Sequence, residues 1–104
     1  MTEPVPGPSA AGSVVLDLGA GIGALILHAP AALDGREIEI SPHGTEARRT
    51  HARVRPRQIG DSAEYAAVYP GLPAGDYTIW RDSVTPAATV TVAGSYITRC
   101  DWPA

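Results

Sequence analysis

Tyr69-Pro-Gly-Leu-Pro-Ala-Gly-Asp-Tyr-Thr-Ile-Trp80 is the stretch that decides the fold. A strand runs into Tyr69, a turn rich in proline and glycine follows (Pro70, Gly71, Pro73, Gly75), and a second strand opens at Asp76. In that second strand Tyr77 and Ile79 alternate with Thr78 and Trp80, the period of a strand with one face in a core. Other short segments on either side share this rhythm.

Residues 13–18 alternate with Val14, Leu16 and Leu18 on one face, and glycines at 19, 21 and 23 interrupt the pattern. Residues 24–28 are short and apolar, closed by Pro30. Residues 36–40 place Ile38 and Ile40 on one side and Glu37 and Glu39 on the other. Residues 50–55 set Ala52 and Val54 inward and His51, Arg53 and Arg55 outward. Residues 64–69, 76–81, 88–92 and 96–102 complete the series, with 41–49 and 56–62 as loops and Ala93-Gly94-Ser95 as a tight link. No segment after residue 34 keeps a helical period over three turns. The expectation is an all-β, seven- or eight-stranded antiparallel sandwich.

A chain of 104 residues supports one core, so residues 13–104 are expected to form a single domain behind a disordered, proline-rich leader at 1–12. Charged residues make up 18% of the chain, against roughly 25% in an average soluble protein. The surface therefore has little charge to keep copies apart, and self-association is expected. The absence of Lys, Asn and Phe beside abundant Ala, Gly and Pro reads as the coding bias of a GC-rich, bacterial genome. The first residues lack a basic and an apolar region, so no signal peptide is read, and no apolar run reaches the ~18 residues of a membrane span. Cys100 is the one cysteine, which fits a reducing compartment, and the expected location is cytoplasmic.

The segment from Gly71 to Ile79 resembles a signature of prealbumin-type sandwiches, among them transthyretin-like, carboxypeptidase regulatory-like and Cna-B-type domains. In those domains a Leu-Pro-x-Gly-x-Tyr-Thr-Leu turn and strand sits late, ahead of one or two closing strands. The resemblance implies an immunoglobulin/prealbumin-like fold and little about activity, since such sandwiches host many functions. The lysine–asparagine isopeptide crosslink of Cna-B-type domains has no residues here from which to form. The chain also ends Arg99-Cys-Asp-Trp-Pro-Ala104, not in the Tyr-Arg-Gly-Ser signature of transthyretin-like hydrolases.

A second resemblance points elsewhere. Val14-Val-Leu-Asp-Leu-Gly-Ala-Gly-Ile-Gly23 is similar to the glycine-rich first motif of S-adenosylmethionine-dependent methyltransferases, and Glu39 lies where those enzymes hold ribose hydroxyls. That fold needs a crossover helix after Gly23, and Pro30 falls inside it at a cost of about 3 kcal/mol. A glycine-rich hairpin joining two core strands is the reading that suits the surroundings.

Residues 48–57 hold five of the eight arginines: Arg48, Arg49, Arg53, Arg55 and Arg57. With His51, the outward Arg53 and Arg55 form a basic stripe that could engage phosphates. A net charge of −3 and the lack of interleaved aromatics disfavour nucleic acid. Glu37 and Glu39, outward on the preceding strand, offer cross-strand partners instead. Trp80, turned away from Tyr77 and Ile79, is read either as an interface or stacking anchor or as a tryptophan lying over the sandwich rim.

The histidines at 28, 43 and 51 and Cys100 match no metal motif, and Cys100 alternates with Tyr96, Thr98 and Trp102 as a small buried hydrophobe. No metal, cofactor or catalytic residue is assigned. The expected function is a non-catalytic interaction module with a protein partner or a second copy, binding through Arg53, Arg55, Trp80 and His51. The alternatives are a small transthyretin-like hydrolase or metal-dependent enzyme, which needs two or more of His28, His43, His51 and Cys100 to converge in one cleft, and an S-adenosylmethionine-binding fragment.

Overall fold

The computed structural model describes residues 19–45 and 47–103. The expected leader at 1–12 and first strand at 13–18 lie outside the described residues.

Among the described residues, eight strands form two four-stranded sheets packed face to face. They are β1 (Ile22–His28), β2 (Glu37–Pro42), β3 (Thr50–Arg53), β4 (Arg55–Ile59), β5 (Ser62–Pro73), β6 (Gly75–Trp80), β7 (Pro86–Val92) and β8 (Ile97–Asp101), with one 3₁₀ turn at Ala31–Leu33. One sheet has the order β4-β5-β1-β8 and the other β3-β2-β6-β7. Neighbours run antiparallel except β1 and β8, which are parallel. The architecture is the all-β sandwich expected, with one parallel pair added.

Alternation builds the core. Leu25 and Leu27 of β1, Ala67, Tyr69 and Leu72 of β5, Ile38 and Ile40 of β2, Tyr77 and Ile79 of β6 and Val92 of β7 meet between the sheets. Burying each large side chain contributes about 1.5–3 kcal/mol. Tyr69 also crosses the core, its hydroxyl donating to the Ile38 carbonyl at 2.7 Å, and burial pushes its pKa well above the usual phenol range. In the turn motif, the Tyr77 hydroxyl donates to the Pro73 carbonyl at 2.6 Å and so fixes the entry into its own strand.

Three expectations are corrected. The stretch 50–55 is not one strand: the chain leaves one sheet at Arg53 and joins the other at Arg55. Val54 marks the corner, fully buried, donating to Arg36 and accepting from Gly35 through its backbone. The expected loop at 56–62 is mostly strand β4, an edge strand that tolerates Pro56, and only Gly60-Asp61 separate it from β5.

The third correction is that β5 runs on through Pro70 to Pro73 instead of turning at Tyr69. Beyond Ala66, β5 has β1 as its one sheet neighbour among the described residues, which leaves a free side for residues without an N–H. An extra residue on β5 opposite Gly23–Leu25 forms a bulge at Pro70-Gly71.

Candidate interaction surfaces

The outward faces of β2 and β3 carry a lattice of ion pairs. Glu37 lies directly opposite Arg53 and Glu39 opposite His51 in the antiparallel register. An Arg53 Nη2 to Glu37 Oε2 contact of 3.0 Å joins the first pair, and Arg53 Nη1 also donates to the Gly35 carbonyl. His51 Nε2 lies 3.9 Å from Glu37. Glu37 therefore faces two basic groups, and most of the expected stripe meets the glutamates of the neighbouring strand.

Arg55 does not continue that stripe. It belongs to the other sheet and sits 3.8 Å from Asp34. Arg57 spends its donors on the backbone carbonyls of Ala66 and Arg53. Burial and the charge of Arg55 lower its pKa. The sheet switch at Val54 thus divides the arginines that sequence alternation had placed on one face.

Trp80 does point away from Tyr77 and Ile79, but it is 8% exposed, so the reading of an open anchor is corrected. Its indole N–H donates to Ser41 Oγ at 2.9 Å. The Arg49 guanidinium lies 3.8 Å from the ring centroid and is held there by Glu39 at 2.7 Å. The loop after β2 folds back over the outer face, and a stacked cation closes the tryptophan from solvent.

The four groups proposed for an enzyme do not come together. His28, on the outer face of β1, has its Nδ1 2.6 Å from Glu64. His51 is on β3 in the opposite sheet, and Cys100 packs against the core. Burial, with a smaller contribution from the charge of Asp101, raises the Cys100 pKa and keeps the thiol protonated. His43 lines a shallow cleft with Asp76, Thr89, Val90 and Thr91. There the Thr91 hydroxyl donates to Asp76 at 2.6 Å. Among the described residues no three His, Cys, Asp or Glu side chains are placed to hold a metal ion.

The glycine run has a packing explanation in the strand. A Cβ on Gly23 would lie 2.2 Å from the Ala93 carbonyl oxygen and 2.7 Å from Val92 Cγ1. Glycine is required there because the β7–β8 link presses on the start of β1. The link is tied down further by Ser95, which has a φ of 66°. Its N–H donates to the Ile22 carbonyl and its hydroxyl to the Gly19 carbonyl.

That link joins two edge strands on the same side of the sandwich, β7 ending one sheet and β8 the other. The 16 residues from Ser83 to Thr98 contain no charged side chain and no histidine. Val84, Tyr96 and Ile97, the large apolar residues most exposed among those described, at 77%, 68% and 44%, all fall within them. Sequence reasoning passed over this surface because it lacks any chemically conspicuous residue. Its signal was the length of the uncharged run.

Comparison with protein-family models, curated proteins and solved structures gives no match to this chain.

Proposed function

We propose that this sandwich is a non-catalytic protein-interaction module, which takes an extended segment of a protein partner or of a second copy onto the neutral surface formed by β7, the β7–β8 link and the first residues of β8. The observation that carries this reading is the uncharged run 83–98, which holds all of β7 and the first two residues of β8, each an edge strand among the described residues, together with three exposed apolar side chains. An edge strand presents unpaired N–H and C=O groups to any chain that can extend alongside it. Charged side chains usually discourage such pairing. β7 carries only Pro, Ala, Thr and Val.

The reading moves the binding surface away from Arg53, Arg55, His51 and Trp80. It keeps the prealbumin-type relationship as part of the proposal, because two closing strands follow the turn motif as that resemblance implies. No described helix is long and apolar enough to cross a membrane. A cytoplasmic, bacterial setting is proposed from the single cysteine and the composition.

The test compares the wild-type chain with Thr89→Lys and Tyr96→Glu on the neutral side, and with Arg53→Gln on the stripe. Mass in solution is followed by light scattering over a concentration series, and protein capture from the native lysate is measured. The wild type and Arg53→Gln are expected to associate or to capture a protein, and the two neutral-side variants to lose it. A wild-type chain that stays monomeric and captures nothing refutes the proposal, as does association that survives both neutral-side substitutions.

A further inference from the structure

At one end of the sandwich the core-facing register runs out into cations. Along β2, Ile40 and Ile38 point inward and Arg36 follows at the same spacing. Along β6, Tyr77 and Ile79 point inward and Arg81 follows. From the other sheet, Cys100 packs on the core and Trp102 comes two residues later. The Trp102 N–H is fixed by the His28 carbonyl at 2.7 Å. The Arg36 and Arg81 guanidinium carbons lie 5.6 and 5.5 Å from the centroid of the Trp102 ring.

These two arginines differ from Arg49, Arg53 and Arg55, each of which has a carboxylate within 4 Å. Neither Arg36 nor Arg81 has such a partner among the described residues. Arg36 donates to the Arg81 carbonyl and makes no other side-chain hydrogen bond among the described residues, although it lies near enough to Asp82 to help the Val84 and Thr85 N–H groups lower that carboxyl's pKa. Arg81 is half-buried, and its guanidinium makes no hydrogen bond among the described residues. A guanidinium carries five N–H donors in a fixed fork that matches an oxyanion. Leaving donors unpaired in a partly desolvated position is costly.

The neighbouring carboxylate, Asp82, has one oxygen engaged by its own loop, accepting the N–H groups of Val84 and Thr85 at 2.9 and 2.7 Å. We infer that Arg36, Arg81 and Trp102 form a binding site for a small oxyanion, a carboxylate or phosphate group, received by the guanidinium forks at the open end of the sandwich. The indole orients both cations by stacking and leaves their N–H edges for the ligand. The site sits where β7 begins and β8 ends, at the opposite end of β8 from Tyr96 and Ile97, and it does not rest on the docking proposed for the neutral surface.

The test uses the full chain and follows the Trp102 indole N–H resonance, identified by its loss in Trp102→Phe. Inorganic phosphate and citrate are titrated separately at matched ionic strength, with sodium chloride as the control. A saturable shift with phosphate or citrate, absent with chloride, is the expected result. Response to phosphate alone assigns a phosphate ligand, and response to citrate a carboxylate. Arg81→Gln and Arg36→Gln are each expected to weaken binding about tenfold or more, the scale of one lost charge-assisted hydrogen bond. Arg48→Gln should leave it unchanged. Arg36→Lys, which keeps the charge and loses the planar fork, should weaken it less than Arg36→Gln, and it serves as the second variant if the glutamine form fails to fold. No saturable shift up to about 20 mM ligand overturns the inference. So does binding that is undiminished in folded Arg81→Gln.

Discussion

Substituting Gly23 by alanine tests the packing account of the glycine run directly. The added Cβ would sit 2.2 Å from the Ala93 carbonyl oxygen, 2.7 Å from Val92 Cγ1 and 3.1 Å from the Tyr96 carbonyl oxygen. Two of those atoms belong to backbone, which no rotamer change can move. The Tyr96 carbonyl also accepts the Ala24 N–H at 3.0 Å, so pushing the link away strains the first rung between β1 and β8. Overpacking of this kind costs about 1–3 kcal/mol. For a chain of this size that lowers Tm by roughly 5–15 °C. Gly71→Ala is the matched control: its nearest neighbour would be Ile22 Cγ2 at 3.8 Å, an ordinary contact, and the change should stay within about 0.5 kcal/mol. Urea unfolding at constant m reads both values. If Gly23→Ala matches the wild type within about 0.5 kcal/mol, the close approach of the β7–β8 link is not what requires glycine at this position.

Two further substitutions or probes address the interior and the thiol. Ser41→Ala removes the acceptor of the Trp80 indole N–H in a fully buried position and is expected to cost about 1–3 kcal/mol in thermal or urea unfolding, whereas a change under about 0.5 kcal/mol would mean the indole finds another partner. Cys100, raised in pKa by burial first and by Asp101 second, should react with iodoacetamide at pH 8 about tenfold or more slowly in the folded chain than in denaturant. Its folded-state rate should keep climbing with pH beyond the range where an ordinary thiol has ionised, and a plateau near pH 9 would contradict the shift.

How far the fold could be read depended on whether local pattern and tertiary role agreed. β2 follows period two with Ile38 and Ile40 on the buried side, and the sequence alternation of β6, β7 and β8 was enough to read them as strands, although β6 is buried on both faces and β8 turns Ile97 outward. β4 was hidden because Arg55-Pro-Arg-Gln-Ile59 has the composition of a loop, and only its edge position makes it a strand. The prolines of β5 misled for the same reason, since a proline ends a strand in the middle of a sheet but not beside a free edge. Trp80 was oriented correctly and its cover was invisible, because Arg49 reaches it through a loop whose path depends on the finished sheet. The Arg36–Trp102–Arg81 cluster joins three element ends that are distant in the chain. No spacing rule connects them.

The two sides of the sandwich explain why the arginines are poor candidates for docking even though they attract attention first. On the β3 side, a partner chain would have to strip water from Arg53, Glu37 and His51 while leaving their mutual pairing intact. Desolvating an ion pair costs several kcal/mol per ion unless every hydrogen bond is replaced. In place, the pair itself contributes at most about 1 kcal/mol to stability, so its larger effect is to keep that edge solvated. The β7 edge and the start of β8 impose no such cost, because the residues from Ser83 to Thr98 carry no ions to desolvate, and the exposed Arg99 and Asp101 confine the neutral part of β8 to Ile97 and Thr98. A new strand there gains backbone hydrogen bonds and covers Tyr96 and Ile97. In a chain with only 18% charged residues, the placement of those charges matters more than their number. They line the β3 edge and are absent from β7, the opposite edge of the same sheet among the described residues, and that asymmetry favours a partner on the neutral side.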